Sequence, residues 1–209
     1  MTEFVPYLIS ANVRSRFNPG GLSVAEGTGL AGDLVLGEVC PRAGEPITVL
    51  DQELAAHLVG SPTRVVAPLG TRESSTHVNG GLPEGGLDVA FGREAHWLAG
   101  ESGLVGLLRA EGGPTKGVET SVPFRCIGLV QHAGRRNANI DDWAIVPETL
   151  RLSVPLICVG ATSAEAGKTV LAQKVIRALV SQGLRTAAVK VTGTGGAVDS
   201  SMHREAGAH

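Results

Sequence analysis

Cysteine is scarce in this sequence, and its spacing is irregular. Only Cys40, Cys126 and Cys158 occur in 209 residues, and no two of them form a Cys-x-x-Cys pair. Three widely separated cysteines support neither a disulfide framework nor a zinc site. Because free thiols persist in a reducing compartment, this usage predicts a cytoplasmic protein.

Long hydrophobic runs and an excess of one charge are also lacking. No apolar run approaches the roughly 20 residues that span a bilayer, and residues 1–16 lack the basic and then apolar order of a secretory signal. The 18 basic and 20 acidic side chains leave a net charge of −2, which gives no field that would attract nucleic acid or an anionic membrane. We therefore expect neither a nucleic acid nor a membrane as a partner.

Aromatic residues make up only 3% of the chain, whereas there are 29 glycines and 11 prolines. This composition is typical of short strands joined by tight turns. Short apolar runs bounded by turn residues predict strands at residues 4–9, 33–39, 47–50, 64–68 and 96–98. Two short helices are also predicted, one over residues 52–59 with Asp51 as its N-cap and one that runs from Ser102 to Leu108.

The pattern divides the chain into three parts. Residues 1–115 form a predicted β-rich N-terminal domain. Residues 116–151 form a predicted linker and connecting hairpin, with a strand at 124–130 and a turn at 141–142. Residues 152–209 have a different pattern and form the third part.

From residue 152 onward, the pattern is that of an α/β protein. Residues 154–159 are an unbroken apolar run, which is typical of a strand buried on both faces of a parallel sheet. Apolar residues at helical spacing predict a helix over residues 167–182, and Gly183 stands where a C-cap glycine belongs. A second strand is predicted over residues 186–191. Together they form a βαβ unit, so the predicted fold class is α/β with an incomplete parallel sheet, preceded by the β-rich domain.

The loop between the first of these strands and the helix ends in Gly167, Lys168 and Thr169. Backbone N–H groups at a helix N-terminus, a glycine at the closest approach and a lysine charge suit the phosphates of a nucleotide. The Thr169 hydroxyl can bind the Mg²⁺ that accompanies these phosphates. The predicted cofactor-binding residues are Thr162, Ser163, Ala164, Glu165, Ala166, Gly167, Lys168, Thr169 and Val170.

One position of this loop departs from the strict pattern G-x-x-x-x-G-K-[ST]. The pattern requires a glycine where this chain has Thr162. The alternative interpretation is an ordinary strand-to-helix turn with an incidental lysine. We favour nucleotide binding because the loop joins a predicted strand to a predicted helix, which is the context that the motif needs.

Two polar residues near and beyond the second predicted strand extend this site. Lys190 at the carboxyl end of a strand would face the crevice in which open α/β sheets bind ligands, so Lys190 and Lys168 are the predicted catalytic residues. Asp199 is predicted to hold Mg²⁺ or its water together with Thr169. The alternatives are a solvent-seeking lysine at a strand end and, for Asp199, the N-cap of a helix over residues 200–206.

The loop and the segment after it resemble known P-loop NTPases. Residues 161–169, ATSAEAGKT, are similar to the loop G-T-D-x-E-V-G-K-T of dethiobiotin synthetases and to that of the P-loop acyltransferase family that includes D-glutamate N-acetyltransferases. In this chain Ala161 replaces the opening glycine and Ser163 replaces the aspartate. Residues 190–208, which contain D-S-x-x-x-R-x-A-G-A, resemble MobB-type proteins of molybdopterin-guanine dinucleotide synthesis.

The resemblance implies a Mg²⁺-dependent protein that binds ATP or GTP and a small-molecule substrate. It suggests an ATP-dependent ligase or group-transfer enzyme. The alternatives are a GTP-binding adaptor of the MobB type in molybdenum cofactor synthesis or an inactive, truncated fragment. The sequence leaves open the choice between ATP and GTP, whether the chain is an enzyme, and whether it forms a homodimer.

Residues 152–209 hold too few predicted elements for a complete domain of this class. Two strands and one full helix are predicted, whereas a doubly wound sheet needs about five strands. No later apolar run ends in Asp, so a Walker-B carboxylate is missing. We therefore predict a partial P-loop nucleotide-binding domain that binds nucleotide weakly and has no appreciable turnover.

Overall fold

The chain forms two compact units, Met1–Ala144 and Ile145–His209. Residues 122–144, part of the predicted linker and hairpin, belong to the first unit. The structure is a computed structural model, and it describes residues 7–13, 16–73, 78–98, 100–110, 122–133, 135–144, 153–162, 166–191 and 198–209.

Short strands make up the described part of the first unit. They are β1 (Leu8–Ile9), β2 (Ser23–Ala25), β3 (Gly27–Gly29), β4 (Leu34–Val39), β5 (Ile47–Leu50), β6 (Ala56–Val59), β7 (Thr63–Pro68), β8 (Asn79–Gly81), β9 (Leu87–Val89), β10 (Glu94–Trp97), β11 (Val105–Ala110) and β12 (Val122–Gln131), and a short 3₁₀ helix, Ile140–Trp143, comes after them.

Most of the strand predictions for this unit are confirmed. The strands predicted at 33–39, 47–50, 64–68 and 124–130 are present as β4, β5, β7 and β12. The strand predicted at 96–98 begins and ends earlier, as β10. Residues 4–6 of the strand predicted at 4–9 lie outside the described residues, and its remaining residues contain β1.

Eight of the strands form one mixed sheet. Its order is β1-β7-β4-β12-β10-β11-β8, and β2 pairs with β12 outside this path. Within the described sheet, β1 and β7 pair in parallel and the other pairs are antiparallel. Two small antiparallel sheets, β3 with β9 and β5 with β6, complete the unit.

The ten-residue strand β12 lies in the middle of the sheet, bonded on both sides. It pairs with β4 on one side and with β10 on the other. Its residues alternate, so that Phe124 and Cys126 are buried while Arg125 is exposed and forms an ion pair with Glu38 of β4. Because a shift by one residue would bury Arg125, this alternation fixes the register of the sheet.

Apolar side chains pack on both faces of the sheet. On one face, the rings of Trp97 and Phe124 stack with their centroids 6.3 Å apart in a large buried cluster. On the other face, Leu36 belongs to a second buried cluster, in which Phe17 meets the ring of Trp143 edge-on at 4.8 Å. Both faces are covered because strand residues point alternately to opposite sides.

The helix predicted over residues 52–59 is wrong, because Asp51 caps a turn instead of a helix. Its Oδ1 atom accepts hydrogen bonds from the backbone N–H groups of Glu53 and Ala55, both at 2.9 Å. Leu54 has a positive φ of 63°, which no helical residue adopts. The chain then returns as β6, antiparallel to β5.

The helix predicted from Ser102 to Leu108 is also wrong. Gly103 adopts a left-handed φ of 75°, and the chain beyond it forms β11. This strand lies between β10 and β8, which supply backbone partners on both edges. Pairing of this kind outweighs the weak helical preference of a short apolar segment.

The described part of the second unit consists of two helices and segments without regular secondary structure. The helices are α1 (Lys168–Ser181) and α2 (Val198–Glu205). The helix predicted over residues 167–182 is therefore confirmed. Neither described helix has the length and apolar character needed to cross a membrane.

The α/β fold class predicted for residues 152–209 is wrong. The described residues of the second unit contain no strand, so 154–159 and 186–191 do not build the parallel sheet of a P-loop NTPase. Val154 leaves 66% of its surface exposed and Val189 leaves 82%. An apolar run becomes a buried strand only where neighbouring strands satisfy its backbone groups, and no described segment of this unit does so. As described, the protein is β-rich, with a mixed sheet and two short helices.

Gly183 ends α1 as its position predicts. It adopts a left-handed φ of 80°. Its N–H donates to the carbonyl of Val180 at 2.9 Å, and the next N–H, of Leu184, donates to the carbonyl of Leu179 at 3.1 Å. These two bonds form a Schellman motif, which satisfies carbonyl groups that the end of a helix would otherwise leave open.

The buried carboxylate of Asp33 forms hydrogen bonds that hold residues 135–144 to the sheet. Asp33, just before β4, is 7% exposed. It accepts hydrogen bonds from the side-chain amides of Asn137 and Asn139 and from the N–H of Leu30, all at 2.9 Å. Residues 135–144 are therefore held to the sheet by charge-assisted hydrogen bonds.

We predict that Asp33→Ala lowers the free energy of unfolding of the first unit by about 3 kcal/mol, because two partly buried side-chain amides and the N–H of Leu30 lose a buried charged acceptor. Urea unfolding monitored by tryptophan fluorescence measures this loss. The signal reports on the first unit alone, since both tryptophans of the chain, Trp97 and Trp143, lie in it.

The control for this prediction is Asp88→Ala. Asp88 also forms an ion pair, with Arg93 at 2.7 Å, but its side chain is 61% exposed. Exposed pairs contribute little to stability, so the loss should be much smaller. Equal losses in the two variants would show that Asp33 does not fasten residues 135–144.

Candidate functional site

The N-terminus of α1 is the first component of the candidate site. Lys168 is its first residue, and Gly167 occupies the N-cap position with φ 82° and ψ 13°. The carbonyl of Gly167 accepts the N–H of Leu171 at 2.9 Å, which is the first bond of the helix. Within the described residues, no side chain caps this end. The N–H groups of the first turn, which have no acceptor inside the helix, can therefore serve a bound anion.

Gly167 is required by its backbone conformation and not by lack of space. A Cβ atom added there would meet nothing within 4 Å. Its left-handed φ, however, is costly for any residue with a side chain. The glycine predicted at the closest approach to the ligand therefore also sets the direction in which the chain enters α1.

The second component is a cluster of three polar side chains from three separate segments. The Thr169 hydroxyl in α1 donates to Asp199 Oδ1 in α2 at 2.9 Å. The Lys190 ammonium, on the segment that follows α1 in the chain, donates to Asp199 Oδ2. The side chains of Lys190 and Asp199 are each 27% exposed. The structure thus brings together three of the residues that the sequence predicts for the site.

Asp199 is ionised in this arrangement. The hydrogen bond from Lys190 lowers the pKa of its carboxyl group, against the opposing effect of burial. The hydrogen bond from Thr169 and the charge of Lys190 lower the pKa further. An ionised carboxylate beside a hydroxyl offers the oxygen ligands that Mg²⁺ prefers.

The packing of the two helices positions Thr169 and Asp199. Ile176 of α1 is buried against Ala206 and Ala208, which come directly after α2. The side-chain amide of Gln173 donates to the carbonyl of Met202 at 3.1 Å. These contacts lie one or two turns from the cluster, so the distance between hydroxyl and carboxylate is set by helix packing.

The segment that carries Lys190 is attached to the same core. Ala188 packs against the buried alanines beyond α2. The carbonyl of Thr186 accepts the N–H of His209 at 2.9 Å. Beyond Ala188 the side chains alternate, because Val189 and Val191 are 82% and 83% exposed whereas Lys190 between them is 27% exposed.

The remaining predicted residues contribute less or lie outside the described residues. Ser163, Ala164 and Glu165 fall in the part of the loop that is not described. Thr162 and Ala166 flank that part and are exposed. Val170, which is 51% exposed, can contribute only its backbone N–H and an apolar surface.

The N-cap alternative for Asp199 does not match its contacts. Asp199 is the second residue of α2, and its carboxylate bonds to Thr169 and Lys190 in other segments. A capping side chain would bond to backbone N–H groups of its own helix. Likewise, the solvent-seeking alternative for Lys190 does not match the ion pair that its ammonium forms.

His203 is a neighbour of the cluster that the sequence pattern did not single out. It lies four residues after Asp199 on α2, hence on the same side of the helix, and its charge lowers the pKa of Asp199. Its Nε2 atom is buried and has no hydrogen-bond partner among the described residues. The signal in the sequence that could have revealed His203 is its spacing of four residues from Asp199, which places both on one side of a helix.

A second candidate lies in the first unit, where an open groove is lined by residues that include Tyr7, His57, Leu58 and Arg64. His57 Nε2 lies 2.7 Å from Asp51 Oδ2, and this hydrogen bond lowers the pKa of the Asp51 carboxyl group. Because Asp51 also caps the turn between β5 and β6, the pair is explained by the structure of the hairpin. Across the described residues, no three metal-binding side chains of His, Cys, Asp or Glu come together.

Comparisons with protein-family models, with curated proteins and with solved structures gave no match to this chain. The resemblance of its loop to P-loop NTPases therefore stays an expectation from residues 161–169 and 190–208.

We predict that Gly167→Ala loosens the first turn of α1. A left-handed φ costs a residue with a Cβ about 1 kcal/mol, so the Leu171 N–H, which bonds to residue 167, should exchange its hydrogen about fivefold faster. Amide hydrogen exchange measured by NMR checks this. The control is Gly160→Ala, because Gly160 also has open space for a Cβ but no positive φ. Equal exchange rates in the two variants would contradict the role assigned to Gly167.

Proposed function

We propose that the second unit binds a nucleoside triphosphate with Mg²⁺ at the N-terminus of α1. The observation that carries this proposal is the 2.9 Å hydrogen bond between the Thr169 hydroxyl and the Asp199 carboxylate, directly beside Lys168. The function is assigned from these residues alone. It does not require the parallel sheet, which the described residues do not form.

Each group at this helix end suits one part of the ligand. The N–H groups of the first turn, which have no acceptor inside the helix, and the Lys168 charge attract phosphate oxygens. Thr169 and Asp199 supply a hydroxyl and a carboxylate oxygen, and Mg²⁺ bound by proteins takes such ligands together with water and phosphate. Mg²⁺ would neutralise phosphate charge, and it would do so beside Lys168.

The carboxylate favours a metal-bound phosphate over a bare one. Asp199 next to a phosphate site would repel an anion that arrived alone. A phosphate that carries Mg²⁺ turns this repulsion into attraction, because the cation lies between the two negative groups. A nucleoside triphosphate with Mg²⁺ is the common ligand of that kind.

The bound nucleotide has two candidate uses. One is group transfer to a small molecule by a ligase or transferase that uses ATP or GTP, with Lys190 acting on the substrate. The other is a GTP-binding adaptor that serves another enzyme. Phosphate release in the presence of small carboxylates or amines would favour the enzyme.

We predict that Lys168→Ala lowers the affinity for Mg²⁺-nucleotide at least tenfold. One charge-assisted contact is worth roughly 1.5 to 3 kcal/mol, which corresponds to about one to two powers of ten. Isothermal titration calorimetry with ATP and with GTP measures the change. The control is Lys174→Ala, since Lys174 is an exposed lysine on the same helix, beyond the first turn. Unchanged affinity in Lys168→Ala would contradict nucleotide binding at the N-terminus of α1.

We predict that Asp199→Asn weakens nucleotide binding when Mg²⁺ is present and does not weaken it in EDTA, where the carboxylate only repels the phosphates. In EDTA no Mg²⁺ is bound, so the substitution removes no metal ligand there. Calorimetry in the two buffers gives the comparison, and circular dichroism confirms that the variant is folded. Equal weakening with and without Mg²⁺ would mean that Asp199 acts through the protein structure and not through the cation.

A further inference from the structure

Lys190 occupies the place at which a cation would meet Asp199. The carboxylate uses Oδ1 for the Thr169 hydroxyl and Oδ2 for the Lys190 ammonium. A hydroxyl can turn its hydrogen away and bind a metal ion through its oxygen. An ammonium cannot, because it carries three donors and a positive charge. Mg²⁺ and the Lys190 ammonium therefore compete for the same carboxylate.

The two partners of Asp199 are held very differently. Thr169 and Asp199 lie on helices that pack against each other through Ile176 and Gln173. Lys190 lies in a segment that pairs with no described strand, between two valines that are 82% and 83% exposed. Its long side chain can leave the carboxylate without breaking a strand ladder or exposing a core residue.

We infer that Lys190 competes with the divalent cation for Asp199, an inference that rests on the nucleotide site proposed above. Lys190 pairs with Asp199 when metal is absent, and Mg²⁺ that arrives with a nucleotide displaces it. The released ammonium then has a new anionic partner close by, the terminal phosphate oxygens of the bound nucleotide. Free Mg²⁺ lacks that compensation, so it binds poorly alone.

Binding of cation and nucleotide is therefore coupled. The nucleotide raises the affinity for the cation by accepting Lys190, and by linkage the cation raises the affinity for the nucleotide equally. This makes Lys190 a positioning and specificity-determining residue. A lysine that only stabilised the fold would produce no such coupling.

The test measures Mn²⁺ binding to the full chain by electron paramagnetic resonance, with and without a non-hydrolysable ATP analogue. Removing the competing charge in Lys190→Met should tighten binding of Mn²⁺ alone about tenfold and should reduce the enhancement that the ATP analogue gives. Lys190→Arg keeps the charge and should behave like the unaltered protein. Lys174→Met removes an exposed lysine of α1 and is the matched control for net charge.

The arms separate this inference from the function on which it rests. Failure of the ATP analogue to bind the unaltered protein would overturn the nucleotide site, whereas tighter Mn²⁺ binding by Lys190→Met would still support the competition. Mn²⁺ affinity in Lys190→Met that is equal to or weaker than in Lys174→Met would overturn the competition, even if nucleotide binds.

A measurement on the unaltered protein covers the case in which Lys190→Met does not fold. Acetylation of Lys190 by acetic anhydride, detected by mass spectrometry, reports on its ion pair, because a side-chain amine that has left the carboxylate is more accessible to the reagent than one held against it at 27% exposure. Saturating Mn²⁺ without nucleotide should speed acetylation at Lys190 severalfold and leave the rate at Lys174 unchanged. An unchanged rate at Lys190 would overturn the inference.

Discussion

An extended chain has to satisfy the N–H and C=O groups of its backbone, and this constraint separates the two units of the protein. In the first unit, β12 has β4 on one side and β10 on the other, so its backbone is bonded along both edges. Phe124 can then be buried on β12 without loss of hydrogen bonds. In the described part of the second unit, the segments predicted as strands have no such neighbours, and Val154, Val189 and Val191 stay exposed.

The helices of the second unit satisfy this requirement within themselves, which is why they form where the strands do not. Each ends in a glycine with left-handed φ, Gly183 after α1 and Gly207 after α2. The buried contact between them is small and consists of Ile176 and two alanines. Small side chains allow the close approach that brings the Thr169 hydroxyl within hydrogen-bond distance of Asp199.

The candidate site depends on charge balance at Asp199. Among the described residues, Lys190 is the cationic side chain that the structure places in direct contact with this half-buried carboxylate. In the structure the cation beside Asp199 is the Lys190 ammonium, and in the proposed nucleotide complex it is Mg²⁺. The same carboxylate therefore links the stability of the metal-free unit to the affinity of the proposed ligand.

Features that depend on residues close together in the chain could be predicted from the amino-acid sequence. It predicted four strands of the first unit, the helix α1 and its terminal glycine, and Lys168 and Thr169 at the start of that helix, because spacing and turn residues act locally. It failed at residues 52–59 and 154–159, where the outcome depends on which distant segments are available for pairing. Long-range contacts produce a hairpin that includes residues 56–59, whereas residues 154–159 find no described strand partner and form no strand. Only the tertiary structure brought Lys190 and Asp199 to Thr169, since contacts across 30 residues are set by packing and leave no periodic signal in the chain.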